Sequence, residues 1–243
     1  AATFTARKMI GRLRPAAVLG GGGYVAGPVG AAAVLRRVPL VLTEADSHFG
    51  LTNRLLAPFA SRVCLAFPLE GRSGQRYIVT GRPIPPQAQD ARAARERFGL
   101  SDDDRVVVVV GGSLGARSIN EAALEAFADD SRLKVIHAAG ERDFASLDER
   151  ARGANYQLFG YIDSFSEALL AADLVVSRAG GSVFEIAAAG RPAILVPYPH
   201  AAADHQAGNA RWMEQAGAAT VLADEALSGA RLADEVGRLL ADP

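Results

Sequence analysis

The chain has 243 residues, room for two domains of ordinary size. Lys+Arg at 26 against Asp+Glu at 27 leaves a net charge of −1, which removes any broad electrostatic case for nucleic acid, and 49% hydrophobic residues exclude wholesale disorder. The single cysteine, Cys64, excludes an intramolecular disulfide framework and a multi-cysteine zinc site, and no apolar stretch reaches membrane-spanning length.

The opening residues read as a helix, not a signal peptide, and the expectation is a soluble, cytosolic α/β protein. That helix, 1–13, sets Phe4, Met9, Ile10 and Leu13 among Arg7, Lys8, Arg12 and Arg14. The pattern fits an anionic lipid surface or an ordinary packed helix with a solvated face. Short β-branched runs then alternate with Ala-rich stretches. Strands are predicted at 17–19, 39–42, 62–65 and 77–79, with helices at 28–36 and 50–60. The segment Arg82-Pro83-Ile84-Pro85-Pro86-Gln87 is too rich in proline for a helix interior or a central strand, and it places a domain boundary after residue 85. A second strand series follows at 106–110, 133–137, 156–159, 174–176, 193–196 and 219–222. Helices at 116–127, 165–171, 182–189 and 205–216 lie between its members. This alternation predicts two parallel, doubly wound sheets, in domains 1–85 and 86–243. The first is short for such a domain and opens on a helix with no strand before it, so an incomplete first domain is expected.

In an open parallel sheet, ligands sit at the carboxyl ends of the strands. Three glycine-rich loops fall there: Gly20 to Pro28, Gly111 to Arg117 after five valines, and Ser177 to Ser182 before a helix that carries Glu185. Tight strand–helix turns need glycine anyway, so each loop alone is weak evidence. Their combination says more. The amides of the second loop and the Ser113 hydroxyl suit a phosphate at a positive helix end, and Glu185 suits ribose hydroxyls. Further on, Asp204-His205-Gln206 and Asn209 offer donors and acceptors matched to sugar hydroxyls, although a capped helix start also explains Asp204. Asp102-Asp103-Asp104 lies just before a strand, on the wrong edge for a metal site, and reads as a solvated turn.

These residues make the chain recognisable. It resembles the MurG-type family of inverting GT-B N-acetylglucosaminyltransferases of peptidoglycan synthesis. The likeness rests on Gly22-Gly23-Tyr24-Val25-Ala26-Gly27-Pro28, Gly50-Leu51-Thr52-Asn53, Gly111 to Arg117 with Asn120, and Ser177 to Pro197 with Asp204-His205-Gln206. The resemblance implies a second domain that binds UDP-N-acetylglucosamine. There Ser113, Gly180, Gly181 and Ser182 would lie on the diphosphate, the Ile162 backbone on uracil, Glu185 on the ribose, and His205 and Gln206 on the sugar, with Arg178 among the residues of the same UDP-N-acetylglucosamine site. It implies a first domain that takes an undecaprenyl-diphosphate-linked acceptor through Gly22, Gly23, Tyr24, Asp46, Asn53 and Arg82. That domain would approach the inner face of the bacterial membrane. No metal or cofactor is expected. Glu44 matches a family position and stands as a candidate catalytic residue beside His48, whose side-chain type titrates in a useful range, while the main base is expected in the missing segment. A chain without that segment is expected to bind UDP-sugar but turn over slowly.

Three departures stand out. The family holds one more residue between Arg178 and Glu185, it reads His-Glu-Gln-Asn at Thr43-Glu44-Ala45-Asp46, and it reads Gly-Asn-Pro-Val-Arg at Gly81 to Pro85. Other readings are a nicotinamide-dependent oxidoreductase, using Gly21-x-Gly23-x-x-Ala26 with Glu44, a UDP-sugar epimerase, another glycolipid glycosyltransferase, and a non-catalytic nucleotide-sugar-binding module.

Overall fold

The first helix, α1 (Ala2–Leu13), leads into a four-stranded parallel sheet in sequential order: β1 (Val18–Gly20), β2 (Leu40–Glu44), β3 (Arg62–Leu65) and β4 (Tyr77–Val79). Val18 pairs with Leu40, Leu42 with Val63, and Val63 with Tyr77. Between the first three strands run α2 (Gly23–Leu35) and α3 (Leu51–Leu56). Leu40, Leu42, Val63 and Leu65 close a core with Phe49 and Leu56, which burial keeps together at roughly 1.5–3 kcal/mol for each large side chain. α1 rests on α2 through Ala6 and Ile10 against Ala32 and Ala33, while Phe4, Met9 and Leu13 stay exposed. Of the four apolar residues singled out in this helix, Ile10 packs into the core.

α2 corrects another expectation. It starts inside the glycine run at Gly23 and not at Pro28, which lies a full turn in. Gly22 and Gly23, with φ of 80° and 73°, turn the chain through left-handed backbone that side-chain-bearing residues avoid. The Thr52 hydroxyl donates to the Gly23 carbonyl at 2.9 Å and ties that turn to α3.

The structure is a computed structural model that describes residues 1–112, 115–151 and 153–241. By contacts it divides into units Ala1–Pro83 and Ile84–Pro243. The second unit contains α4 (Ala91–Arg97), β5 (Val106–Val110), α5 (Arg117–Phe127), β6 (Lys134–Ala138), α6 (Glu141–Leu147), β7 (Tyr156–Phe159), α7 (Phe165–Ala171), β8 (Leu174–Ser177), α8 (Val183–Ala188), β9 (Ala193–Leu195), α9 (His205–Gln215), β10 (Ala219–Val221) and α10 (Gly229–Ala241). Its six strands are all parallel, in the order β10-β9-β8-β5-β6-β7. That is the doubly wound Rossmann order, reversing direction between β5 and β8. The five valines of β5 are all buried, as a central strand covered on both faces requires. Asp102 and Asp103 lie in an exposed turn, and the Ser101 N–H, donating to Asp104 at 2.7 Å, holds that carboxyl below its usual range.

Three helices escaped the sequence reading: α4, α6 and α10. Each carried a local signal. Asp90 caps α4 by accepting the Ala93 N–H at 2.9 Å, Glu141 and Asp143 stand in the first turn of α6, and Ser228 accepts the Arg231 N–H at 3.2 Å at the start of α10. Leu232 and Val236 of α10 join the core with Ile119, Ala123 and Phe127 of α5.

Candidate functional site

The reversal of strand order puts the end of β5 beside the end of β8: Val110 pairs with Ser177. The second and third glycine loops leave the sheet from these two positions, so the fold brings together two segments that the sequence keeps far apart. Gly111 and Gly115 have structural reasons to be glycine. A Cβ at Gly111 would lie 2.3 Å from the Ala116 nitrogen, and one at Gly115, whose φ is +75°, would lie 2.1 Å from the Ala139 carbonyl oxygen. Gly112 and Gly180 differ, because a Cβ there would meet nothing within 4 Å among the described residues. Open space beside those two backbones is what a phosphate group needs. Ser113 and Leu114 lie outside the described residues.

Glu185 sits in the first turn of α8, half-buried and engaged within the protein. Ile162 is buried just after β7. Gln206 lies at the start of α9, where its Oε1 accepts the Tyr198 N–H at 2.9 Å. Asn209, one turn on, donates from Nδ2 to the Ala179 carbonyl at 3.1 Å and fastens α9 to the third glycine loop. His205, beside Gln206, is likewise engaged. Asp204 is not the side-chain cap of α9: it has left-handed backbone, φ 53°, and makes no capping bond. Arg178 is buried, and its guanidinium is spent on protein acceptors: the carbonyls of Val196 and Pro197, Asp224 Oδ1 and Ser118 Oγ.

Beneath the second loop runs a buried polar chain that the sequence reading missed. Asn120 is fully buried, and both protons of its amide are used, on the Ala139 carbonyl at 2.9 Å and Asp143 Oδ2 at 3.2 Å. Its Oδ1 therefore accepts from His137 Nε2 at 3.0 Å, which places the imidazole proton on Nε2. His137 Nδ1 is then left to accept the Tyr156 hydroxyl at 2.7 Å. Burial pushes the His137 imidazole down to about 4 and the Tyr156 phenol up. An unfolded histidine titrates near 6.5, so as pH falls the unfolded chain takes the proton first. Stability is complete above about pH 7 and declines between 6.5 and 4, by about 2 kcal/mol at pH 5. The carboxylates of Asp130, Asp143 and Glu235, held low by Arg132, Arg142 and Arg238, lose their contribution only at lower pH. Urea unfolding at pH 7.5 and pH 5 measures the histidine component, and equal free energies would contradict the buried neutral imidazole.

In the first unit, the loops after β1 and β2 hold the acceptor-side candidates. Glu44 ends β2, and three N–H donors converge on its carboxylate: Ala45 at 3.1 Å on Oε1, with Gly50 and Asn53 Nδ2 at 2.9 Å on Oε2. These bonds occupy lone pairs that a proton-abstracting base needs. Asn53 is 1% exposed, shares its Nδ2 with the Thr43 carbonyl at 2.9 Å, and keeps Oδ1 without a hydrogen-bond partner among the described residues. A Cβ at Gly22 would come within 3.4 Å of Asn53 Nδ2, so the first glycine loop and this amide adjoin. Removing the amide by Asn53→Ala leaves the Thr43 carbonyl and Glu44 short of a donor, and is expected to cost about 2 kcal/mol in chemical denaturation. Tyr24 is almost wholly exposed, while Asp46 is half-buried in the loop after β2 and Arg82 is exposed in the stretch after β4. Among the described residues, no three His, Cys, Asp or Glu side chains group closely enough to hold a metal ion.

The comparisons with known proteins agree with this architecture. Residues 106–243 match the glycosyltransferase family 28 C-terminal domain and residues 1–65 the N-terminal domain of the same family. The UDP-N-acetylglucosamine–N-acetylmuramyl-(pentapeptide) pyrophosphoryl-undecaprenol N-acetylglucosamine transferase of Moorella thermoacetica is 42% identical over 96% of the chain and 67% of its own length. Its namesake in Pseudomonas putida is 40% identical over 100% of the chain and 68% of its own length. The crystal structure of Acinetobacter baumannii MurG superimposes with a TM-score of 0.81 at 32% identity, over 98% of this chain and 69% of that one. The chain thus spans about two thirds of the length of these relatives. It belongs to glycosyltransferase family 28, in the MurG-type group, with the GT-B arrangement of two Rossmann-like sheets.

Proposed function

We infer that this chain transfers N-acetylglucosamine from UDP-N-acetylglucosamine to an undecaprenyl-diphosphate-linked muramoyl-peptide acceptor, the step that its relatives' names describe. The observation that carries the donor half of the reading is the meeting of two glycine loops at the strand-order reversal, with open space at Gly112 and Gly180. Backbone amides there, the Ser113 hydroxyl and the start of α5 receive the diphosphate. The Ile162 main chain meets uracil, Glu185 accepts from the ribose hydroxyls, and His205 and Gln206 meet the sugar. With Gln206 Oε1 already taken by the Tyr198 N–H, its NH2 is the group offered to a sugar oxygen.

The chemistry is one in-line displacement. An acceptor hydroxyl oxygen forms a bond to the anomeric carbon as the bond to the β-phosphate oxygen breaks. UDP leaves with that electron pair, the hydroxyl proton passes to a base, and the configuration inverts. Amides aimed at the diphosphate stabilise the charge that develops on it. On the acceptor side, the turn at Gly22 and Gly23 and the start of α2 offer backbone donors to a polar headgroup. The bonding of Glu44 favours a role in holding the loop after β2 over proton abstraction.

The first unit also exposes Phe4, Met9, Leu13, Leu35, Leu51, Leu55 and Phe59, with Arg7, Lys8, Arg12, Arg14, Arg36 and Arg37 on the same unit. No helix among the described residues is long and apolar enough to cross a membrane. Apolar side chains interspersed with cations support peripheral attachment to the anionic inner face of the bacterial membrane. Co-sedimentation with phosphatidylglycerol vesicles, weakened several-fold by Phe4→Ser with Leu13→Ser and absent with phosphatidylcholine, is the expected result.

Calorimetric titration with UDP-N-acetylglucosamine, UDP-glucose and UDP-galactose, followed by transfer of labelled sugar to the lipid acceptor, tests the function. Preferential binding of the first nucleotide and acceptor-dependent labelling are expected. Conversion of the free nucleotide sugar without acceptor, or binding of NADH but not UDP, would overturn it.

A further inference from the structure

Arg178 is the first residue after β8, inside the third glycine loop, and the resemblance to relatives places it among the residues that bind UDP-N-acetylglucosamine. Its surroundings point elsewhere. The side chain is nine-tenths buried, and its Nη1 donates to the Val196 carbonyl at 3.1 Å, the Pro197 carbonyl at 3.3 Å and Asp224 Oδ1 at 2.6 Å. Nη2 donates to Ser118 Oγ at 2.8 Å, and Ser118 passes its own proton to Asp224 Oδ1 at 2.7 Å. The hydroxyl is thereby fixed as acceptor from the arginine and donor to the aspartate. The guanidinium also lies 5.5 Å from the centre of the Tyr198 ring.

The partners leave the sheet from different strands. Ser118 stands in the first turn of α5, directly after the second glycine loop; Val196 and Pro197 follow β9; Asp224 follows β10. Arg178 itself follows β8, so one planar, five-donor group ties the exits of four neighbouring strands. The tie extends further, because Tyr198, next to Pro197, donates its N–H to Gln206 Oε1. The path from Arg178 therefore reaches both the helix start that faces the phosphates and the amide that faces the sugar. Paired with Asp224, the guanidinium is also largely neutralised toward its surroundings.

We propose that Arg178, with Asp224 and Ser118, is a positioning residue: it locks the phosphate-facing start of α5 and the sugar-facing Pro197–Gln206 segment in register, and it does not ligate the diphosphate. This rests on the reading of this sheet edge as the UDP-sugar site. A lysine cannot replace it, since an ammonium at one point does not span three separate exits.

Asp224→Asn separates the two roles by sign. If Arg178 were a phosphate ligand, releasing it from Asp224 and removing a nearby negative charge would leave UDP affinity unchanged or raise it. As a clamp, its loss of register weakens binding. Calorimetry on the full chain with UDP and with UDP-N-acetylglucosamine is expected to show about tenfold weaker UDP-N-acetylglucosamine binding for both Asp224→Asn and Arg178→Lys. The double variant should fall within about threefold of the weaker single one, and the affinity ratio of UDP-N-acetylglucosamine to UDP should fall toward one, which a general loss of stability does not produce. Should Arg178→Lys fail to fold, Ser118→Ala carries the same comparison with a milder loss. Asp224→Asn binding at or above the wild-type level, or multiplicative losses in the double variant, would overturn the clamp. Wild-type protein that binds no UDP would instead sink the donor-site reading itself, and the clamp with it.

Discussion

Replacement of Glu185 by alanine is expected to weaken UDP and UDP-N-acetylglucosamine binding by about 100-fold, with the fold intact. The side chain stands half-buried in the first turn of α8, next to the loop that carries Gly180 and its open space. Two hydroxyl-to-carboxylate hydrogen bonds, each worth roughly 1.5–3 kcal/mol, account for a loss of that order. Glu185→Gln retains one acceptor oxygen and should recover part of it. The control is the apolar side of the same helix: Val183 and Ile186 are fully buried and untouched by the substitution, so thermal unfolding should move little. Calorimetry with UDP is the measurement. Equal loss for UDP and the nucleotide sugar places the defect at the ribose, whereas loss confined to the nucleotide sugar would contradict the assignment.

Gly115→Ala should be more severe still, and for a reason that lies in the backbone. A methyl group at that position would sit 2.1 Å from the Ala139 carbonyl oxygen, on a residue whose φ of +75° already disfavours any side chain. That carbonyl is not free to retreat, because Asn120 Nδ2 holds it at 2.9 Å and Asn120 is held in turn by His137. Overpacking against a fixed neighbour, added to left-handed strain, is expected to cost about 3 kcal/mol and to displace the second glycine loop. UDP binding should fall below detection before the unit unfolds. Gly112→Ala is the comparison: among the described residues its Cβ meets nothing within 4 Å, so the backbone strain of its φ of +90° is the main cost, and the stability loss should be clearly smaller.

The ten strands among the described residues could be read from the sequence; for a strand covered on both faces the signal is a short, unbroken apolar run, as Val106 to Val110 shows. Two of the missed helices, α4 and α6, span only about two turns, too short for a clear hydrophobic period, whereas α10 carries a legible one in Leu232, Val236, Leu239 and Leu240 as well as its cap, Ser228. The start of α2 was misplaced because glycine and proline argue locally for a loop, whereas Thr52, from another element, holds Gly23 in the helix. The glycine loops were visible as motifs. What they are braced by was not: Ser118 and Asp224 become partners of Arg178 only when four strand exits converge, and nothing near either residue in sequence signals it. His137 is similar, since a lone histidine in a strand tells nothing until Asn120 and Tyr156 arrive on either side of its ring.

The strand order has a consequence for how the second and third glycine loops come together. Within the second sheet, β5 pairs with β6, the next strand along the chain, but also with β8, reached only after β6 and β7 have been made. Val107 against Leu174 is the most distant kind of pairing in that sheet, and such contacts form late because a long loop must close first. Gly112 and Gly180 stand just beyond the ends of this very pair of strands. A chain that has made only β5 to β7 therefore holds half a sheet, and the second and third glycine loops meet only when that long-range closure is complete.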